Sequence, residues 1–208
     1  MNTSSVKIKH RKVNLNNLDY EQIEIYERNS NYSWFCCMID IPNQSYLKDY
    51  VHKSFFESNC KIIKETSGRP ILLKNNKKDR SISISHKESI YTVAQSSKKR
   101  HSIGIDVENY DTAKDYSFIA KSLRSNEYLI LNEIQRLFNV DLNKSYLCIW
   151  TIKECLVKIS NRKVDWHDIE IKMSKYGHFD FYLKNICLNK AKLELYFYKN
   201  IILSVVYI

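Results

Sequence analysis

The chain has 208 residues, 33 Lys+Arg against 23 Asp+Glu for a formal charge of +10, and a composition 44% apolar and 12% aromatic. That excludes a disordered tail and a fragment too small for a core: one or two compact lobes are expected, burying roughly 70% of the surface of the unfolded chain. Three scattered glycines exclude a dinucleotide-binding turn and a phosphate loop, and six cysteines with no C-x-x-C pair argue against a structural zinc site. The N-terminal MNTSSVKIKHRKV lacks the apolar core of a secretory signal, and no apolar run approaches the ~20 residues that span a bilayer. A cytoplasmic protein with reduced thiols and no membrane association is expected. The excess positive charge favours a polyanionic partner, whether nucleic acid, acidic membrane face, acidic protein or multiply phosphorylated small molecule.

In chain order, the Val-Lys-Ile-Lys alternation predicts a strand over 6–13, and a weakly helical pattern follows over 18–28. The short apolar run SWFCCMIDI at 33–41 reads as a strand. Apolar residues at near-helical spacing predict one amphipathic helix over 45–64 with a polar break near Ser58 and Asn59. Gly68-Arg69-Pro70 marks a turn, with extended chain from Ile71. Strands are predicted over 81–85, 90–95 and 102–107 as an antiparallel meander, with the Lys98 to His101 basic cluster in a turn. Residues 115–160 form the longest helical stretch, with Ser125 capping a helix to Phe138 and Asn143 capping another to Ile159. The tail returns to strands over 166–173, 178–183, 192–198 and 201–208. The order predicts an α+β protein of two lobes, 1–109 and 110–208.

Asp106 and Glu108 lie two apart on a predicted strand and so share a face, where two carboxylates repel unless a cation or base sits between them. A solvent-facing pair at a strand end is the simpler reading of an isolated D-x-E. Trp150, Glu154 and Lys158 share one face of the last helix. A Glu followed four residues later by Lys is commonly a surface pair, but this helix is apolar around most of its circumference, and buried charges need partners. Together Asp106, Glu108 and Glu154 make an all-oxygen donor set suited to Mg²⁺, with Lys153 and Lys158 near enough in sequence to hold phosphates. Ser85, His86 and Arg69 read singly as a structural hydrogen-bonding pair and a surface arginine.

Taken in order, G-R-P at 68–70, S-I-S-H at 83–86, G-I-D-V-E at 104–108 and W-T-I-K-E-C-L-V-K at 150–158 resemble the 4'-phosphopantetheinyl transferases of the surfactin-synthetase-activating type. The resemblance covers about 66–171. It implies a monomer of two pseudo-symmetric α+β lobes with the active site at their interface. It further implies transfer of the phosphopantetheine arm of coenzyme A to a serine of an apo carrier protein (peptidyl, polyketide or acyl), releasing 3',5'-ADP. Asp106, Glu108 and Glu154 match the family's Mg²⁺ ligands, a role Mn²⁺ can also fill. Lys158 matches the lysine that neutralises the pyrophosphate, and Arg69, Ser85 and His86 match residues at the 3'-phosphate end of the nucleotide. The serine proton passes to Glu154 or to Glu127, which matches a second acidic position in the bacterial members. Residues 1–64 depart from the pattern: where relatives carry an Arg-rich helix, this chain offers Lys48, His52 and Lys53. Two other readings are a basic nucleic-acid-binding protein, suggested by pI near 9.2 and 15 tyrosines, and a family member that has lost its chemistry and acts as a binding partner.

Overall fold

The computed structural model describes residues 6–15, 18–28, 32–39, 44–66, 68–98, 101–111, 116–160, 164–174 and 178–208. The chain divides into two compact units, Met1–Ile103 and Gly104–Ile208. The division falls before the expected 109/110 boundary, so Asp106 and Glu108 belong to the second unit. Lys99, Arg100 and Gly177 lie outside the described residues.

The first unit is a seven-stranded antiparallel sheet in the order β1-β2-β3-β7-β6-β5-β4 with one helix. Its elements are β1 (Lys7–Leu15), β2 (Leu18–Arg28), β3 (Tyr32–Ile39), α1 (Gln44–Phe55), β4 (Cys60–Lys64), β5 (Pro70–Lys74), β6 (Lys77–Lys87) and β7 (Ile90–Ser96). The helix expected over 18–28 is instead strand β2, paired along its length with β1 and β3. Its alternation is hidden because both faces are buried: Ile23 and Ile25 on one, Gln22 and Glu24 on the other. The Tyr46 and Tyr50 hydroxyls of α1 donate to Gln22 and Glu24, so polar residues sit where a strand pattern would call for apolar ones. The helix expected over 45–64 stops at Phe55, and its second half is the edge strand β4. Helix α1 buries Leu47 and Val51 against Phe35, Cys37, Ile39, Tyr91 and Val93.

The expected meander holds for β6 and β7 but not for the third strand, β8 (Ile103–Asn109), which joins the second unit beside β13. That unit continues with α2 (Tyr116–Ser122), α3 (Glu127–Phe138), α4 (Leu142–Ile159) and a 3₁₀ turn (Trp166–Asp168). Strands β9 (Ile169–Met173), β10 (Phe179–Leu183), β11 (Ile186–Cys187), β12 (Lys192–Tyr198) and β13 (Ile201–Tyr207) complete it. Two three-stranded sheets form, β11-β10-β9 and β12-β13-β8. Helix α4 is central: Leu147, Cys148, Ile149, Ile152, Cys155 and Leu156 are buried with Ile130, Leu131 and Ile134 of α3 and Ile202 and Val206 of β13.

Asp141, not Asn143, caps α4, accepting from the Lys144 N–H at 2.8 Å; Asn126, not Ser125, stands at the start of α3, with no side-chain cap bond. The six cysteines are free thiols, and Cys36, Cys37, Cys148 and Cys155 are buried. Among the described residues no helix is long and apolar enough to cross a membrane.

Candidate functional site

Strand β8 meets α4 at Gly104. A Cβ on that residue would lie 2.1 Å from the Cys155 carbonyl oxygen, so only glycine permits this main-chain approach. The contact brings the next residues of β8 alongside the last two turns of α4. Lys158 Nζ donates to Asp106 Oδ1 at 2.6 Å and to the Ile105 carbonyl at 2.9 Å. Asp106 is 6% exposed, and its neighbour on the same strand face, Glu108, is half-buried.

Trp150, Glu154 and Lys158 share a face of α4 as their spacing predicts, and all three are half-buried on a helix otherwise submerged. Glu154 Oε1 accepts from Trp166 Nε1 at 3.1 Å. Burial pushes the Glu154 carboxyl above its ordinary range, and the negative charges of Asp106 and then Glu108 push the same way. Lys158 and the indole N–H oppose them without cancelling them. The structure thus gathers Asp106, Glu108, Glu154 and Lys158 into one electrostatic neighbourhood with three carboxylates for one ammonium. Among the described residues no three His, Cys, Asp or Glu side chains stand ready to hold a metal ion. The donor set nonetheless fits a hard divalent cation: all its ligands are oxygens, and the surplus is negative.

Glu127 lies elsewhere in the same unit. It and Lys153 are both fully buried and paired at 2.7 Å. Glu127 also accepts from the main-chain N–H of Arg124 at 3.0 Å and of Ile171 at 3.1 Å. Both its oxygens are therefore engaged. Lys153 is likewise committed, so the expectation that it holds phosphates beside Lys158 gives way to a structural ion pair. Burial drives the Lys153 pKa down, and the Glu127 contact resists that fall.

In the first unit, Gly68 takes φ +82 in a turn closed by Glu65 and Arg69, and Arg69 Nη2 donates to Ser81 Oγ at 3.2 Å. Ser85 and His86 are adjacent on β6 and so face opposite ways: Ser85 is buried, whereas exposed His86 stacks on Tyr91 at 6.1 Å. Arg69 thus meets β6 at Ser81, four residues from Ser85. Of the basic residues of 1–64 noted above, His52 is tied to the Tyr91 hydroxyl at 3.2 Å. A cavity of about 760 Å³ in this unit, lined by Lys7, Lys9, Tyr26, Arg28 and Lys74 among others, includes none of Arg69, Ser85 and His86.

Trp166 is the site residue that sequence reasoning passed over, because it falls at the edge of a predicted strand. The available signal was D-W-H-D at 165–168: Asp165 accepts from the His167 N–H at 2.9 Å, while Asp168 reaches back to the Asp165 N–H, a reciprocal box that starts a helical turn.

Comparison with known families finds one match over residues 102–206, half of the chain, to the model described as the 4'-phosphopantetheinyl transferase superfamily. No curated protein matches the chain. The matched segment contains β8, α4 and the 3₁₀ turn, and with them every residue of the carboxylate cluster.

Proposed function

Because the chain belongs to the 4'-phosphopantetheinyl transferase superfamily, whose activity is phosphopantetheine transfer, we propose that it moves the 4'-phosphopantetheine arm of coenzyme A onto a serine of an apo carrier protein. The observation that carries this reading is the cluster itself: Glu154 with a raised carboxyl beside Asp106 and Glu108, and Lys158 as its ammonium.

In this reading the serine oxygen attacks the phosphorus that carries the pantetheine arm. The bond to the second phosphate breaks, and 3',5'-ADP leaves with the electron pair. Glu154 accepts the serine proton, as a carboxylate within reach of the attacking oxygen can. Glu127, whose oxygens already carry three donors, supports α4 from within rather than sharing that step. Asp106, Glu108 and Glu154 would hold Mg²⁺ or Mn²⁺, which supplies positive charge against the pyrophosphate. Lys158 donates to the departing phosphate oxygens, and its bond to Asp106 keeps the ammonium aimed across the cluster until then. Arg69, Ser85 and His86 contact the 3'-phosphate end of the nucleotide, where an arginine's paired donors suit a phosphate.

The fold of this reading is the two-lobe, monomeric, surfactin-activating type, working in the cytoplasm on peptidyl, polyketide or acyl carriers. The +10 charge suits both coenzyme A and acidic carriers, chiefly by speeding their encounter. Intact-protein mass spectrometry tests the proposal. Apo peptidyl and acyl carriers incubated with this protein, coenzyme A and MgCl₂ are expected to gain one phosphopantetheine arm, and EDTA to abolish the gain. Carriers that stay apo while coenzyme A binds would overturn the transfer reading.

A further inference from the structure

The indole N–H of Trp166 donates to Glu154, a bond that the transfer step itself does not use. We infer that Trp166 is a positioning residue for Glu154, held in place by Trp150 and by the buried Lys153–Glu127 pair. The inference rests on the proposed role of Glu154 as a carboxylate of the metal site.

The geometry runs outward from the buried pair. Glu127 takes donors from two main-chain N–H groups and from Lys153, which holds the ammonium in a fully buried ion pair. Lys153 Nζ sits 5.6 Å from the centroid of the Trp166 ring, where the ring's π face attracts a cation. Trp150 packs on the same indole with centroids 4.2 Å apart. The Asp165–Asp168 box holds the main chain of the turn. An indole constrained by a cation, a second indole and a capped turn has little freedom, so its N–H is a rigid donor. Through that donor Oε1 of Glu154 is pinned, and among the described residues Oε2 carries no hydrogen bond. One oxygen is thereby oriented while the other stays open for a new partner.

Hydrogen bonds from outside a metal's own ligands set ligand orientation, and their loss typically costs about 10–100-fold in metal affinity or activity. Trp166→Phe keeps an aromatic ring that can still pack on Trp150 and face the Lys153 cation, and removes the N–H donor together with part of the indole's volume. Mn²⁺ alone, titrated into the full-length protein and followed by electron paramagnetic resonance, is expected to bind Trp166→Phe about 10-fold more weakly than wild type. Trp166→His, which restores a ring N–H, is expected to recover part of that loss. The KM for coenzyme A should stay near the wild-type value. A purely packing role would lower the melting temperature and leave Mn²⁺ affinity unmoved, which overturns the inference.

Should Trp166→Phe fail to fold, the wild-type protein supplies the reading instead. The Trp166 indole N–H resonance, assigned by ¹⁵N labelling, is expected to shift as Mg²⁺ is added, and an unmoved resonance overturns the inference. Wild type that binds Mn²⁺ as tightly as Trp166→Phe removes the inference alone. Wild type that binds no Mn²⁺ removes the site reading and the inference together.

Discussion

Glu127, fully buried, and Glu154, half-buried, sit in neighbouring regions of one unit, and the surroundings sort them into different work. Around Glu127, three donors meet two oxygens, and the burial of the charge is compensated. Around Glu154, one indole donor meets a carboxylate that burial first, and then two more carboxylates, push upward in pKa. The first region is a finished structural ion pair, and the second is short of positive charge. A deficit of that kind is what a cationic cofactor or a proton can fill. The difference lies in donors counted per oxygen, which residue type alone does not reveal.

The sharpest way to break this comparison is to neutralise each glutamate's region in turn. Glu154→Gln is expected to lower the transfer rate by about 10²–10⁴-fold, the usual worth of a positioned proton acceptor, with the fold retained. Transfer assayed by carrier mass against circular dichroism reads both. Lys153→Met should do the reverse, costing about 3–5 kcal/mol in urea unfolding, because it strands a buried carboxylate. Adding Glu127→Gln to it should return part of that stability, since the amide removes the stranded charge while keeping an acceptor for one of the Arg124 and Ile171 main-chain N–H groups. Full transfer by Glu154→Gln, or an unchanged urea midpoint for Lys153→Met, would erase the distinction drawn here.

A smaller effect tests how the second region is assembled. Gly104→Ala forces β8 and α4 apart, at about 1–3 kcal/mol for overpacking, and should slow transfer by moving Asp106 away from Lys158. A crystal structure of the variant with the 2.6 Å contact intact would contradict this.

The smallest effect lies in the first unit. Burial, with Lys48 second, lowers the His52 pKa from its ordinary 6.5, and nearby Asp49 opposes the shift. With the folded value below the unfolded one, the neutral ring's contribution is full above 6.5 and is lost as pH falls through the lowered value. Stability of wild type should therefore decline more steeply on acidification than that of His52→Gln, measured by melting temperature against pH.

Much of the second unit was legible in the chain. Trp150, Glu154 and Lys158 share a face because helical spacing dictates it, and the Gly-Ile-Asp-Val-Glu run of β8 is local. The first unit was less so. Strand β2 reads as a weak helix because Gln22 and Glu24 are buried and satisfied by Tyr46 and Tyr50, residues far along the chain. Strand β4 reads as helix because its partner β5 lies beyond a turn. In the site, the carboxylates were visible as motifs, whereas the fate of Glu127 and Lys153 depends on a pairing across 26 positions and the role of Trp166 on a turn after α4. Single-residue patterns carry periodicity well and long-range satisfaction poorly.

The buried thiols supply a built-in clock for the two units. Cys36 is pushed up to about 12 and Cys148 to about 12 by burial, and Cys37 and Cys155 are raised for the same cause. Alkylating reagents attack the thiolate, so these four are silent while the fold is closed and labelled only when it opens. Cys36 and Cys37 report on the sheet of the first unit, Cys148 and Cys155 on α4 of the second. One reagent and one peptide map would thus time the opening of each unit separately, in a single tube and without any engineered probe.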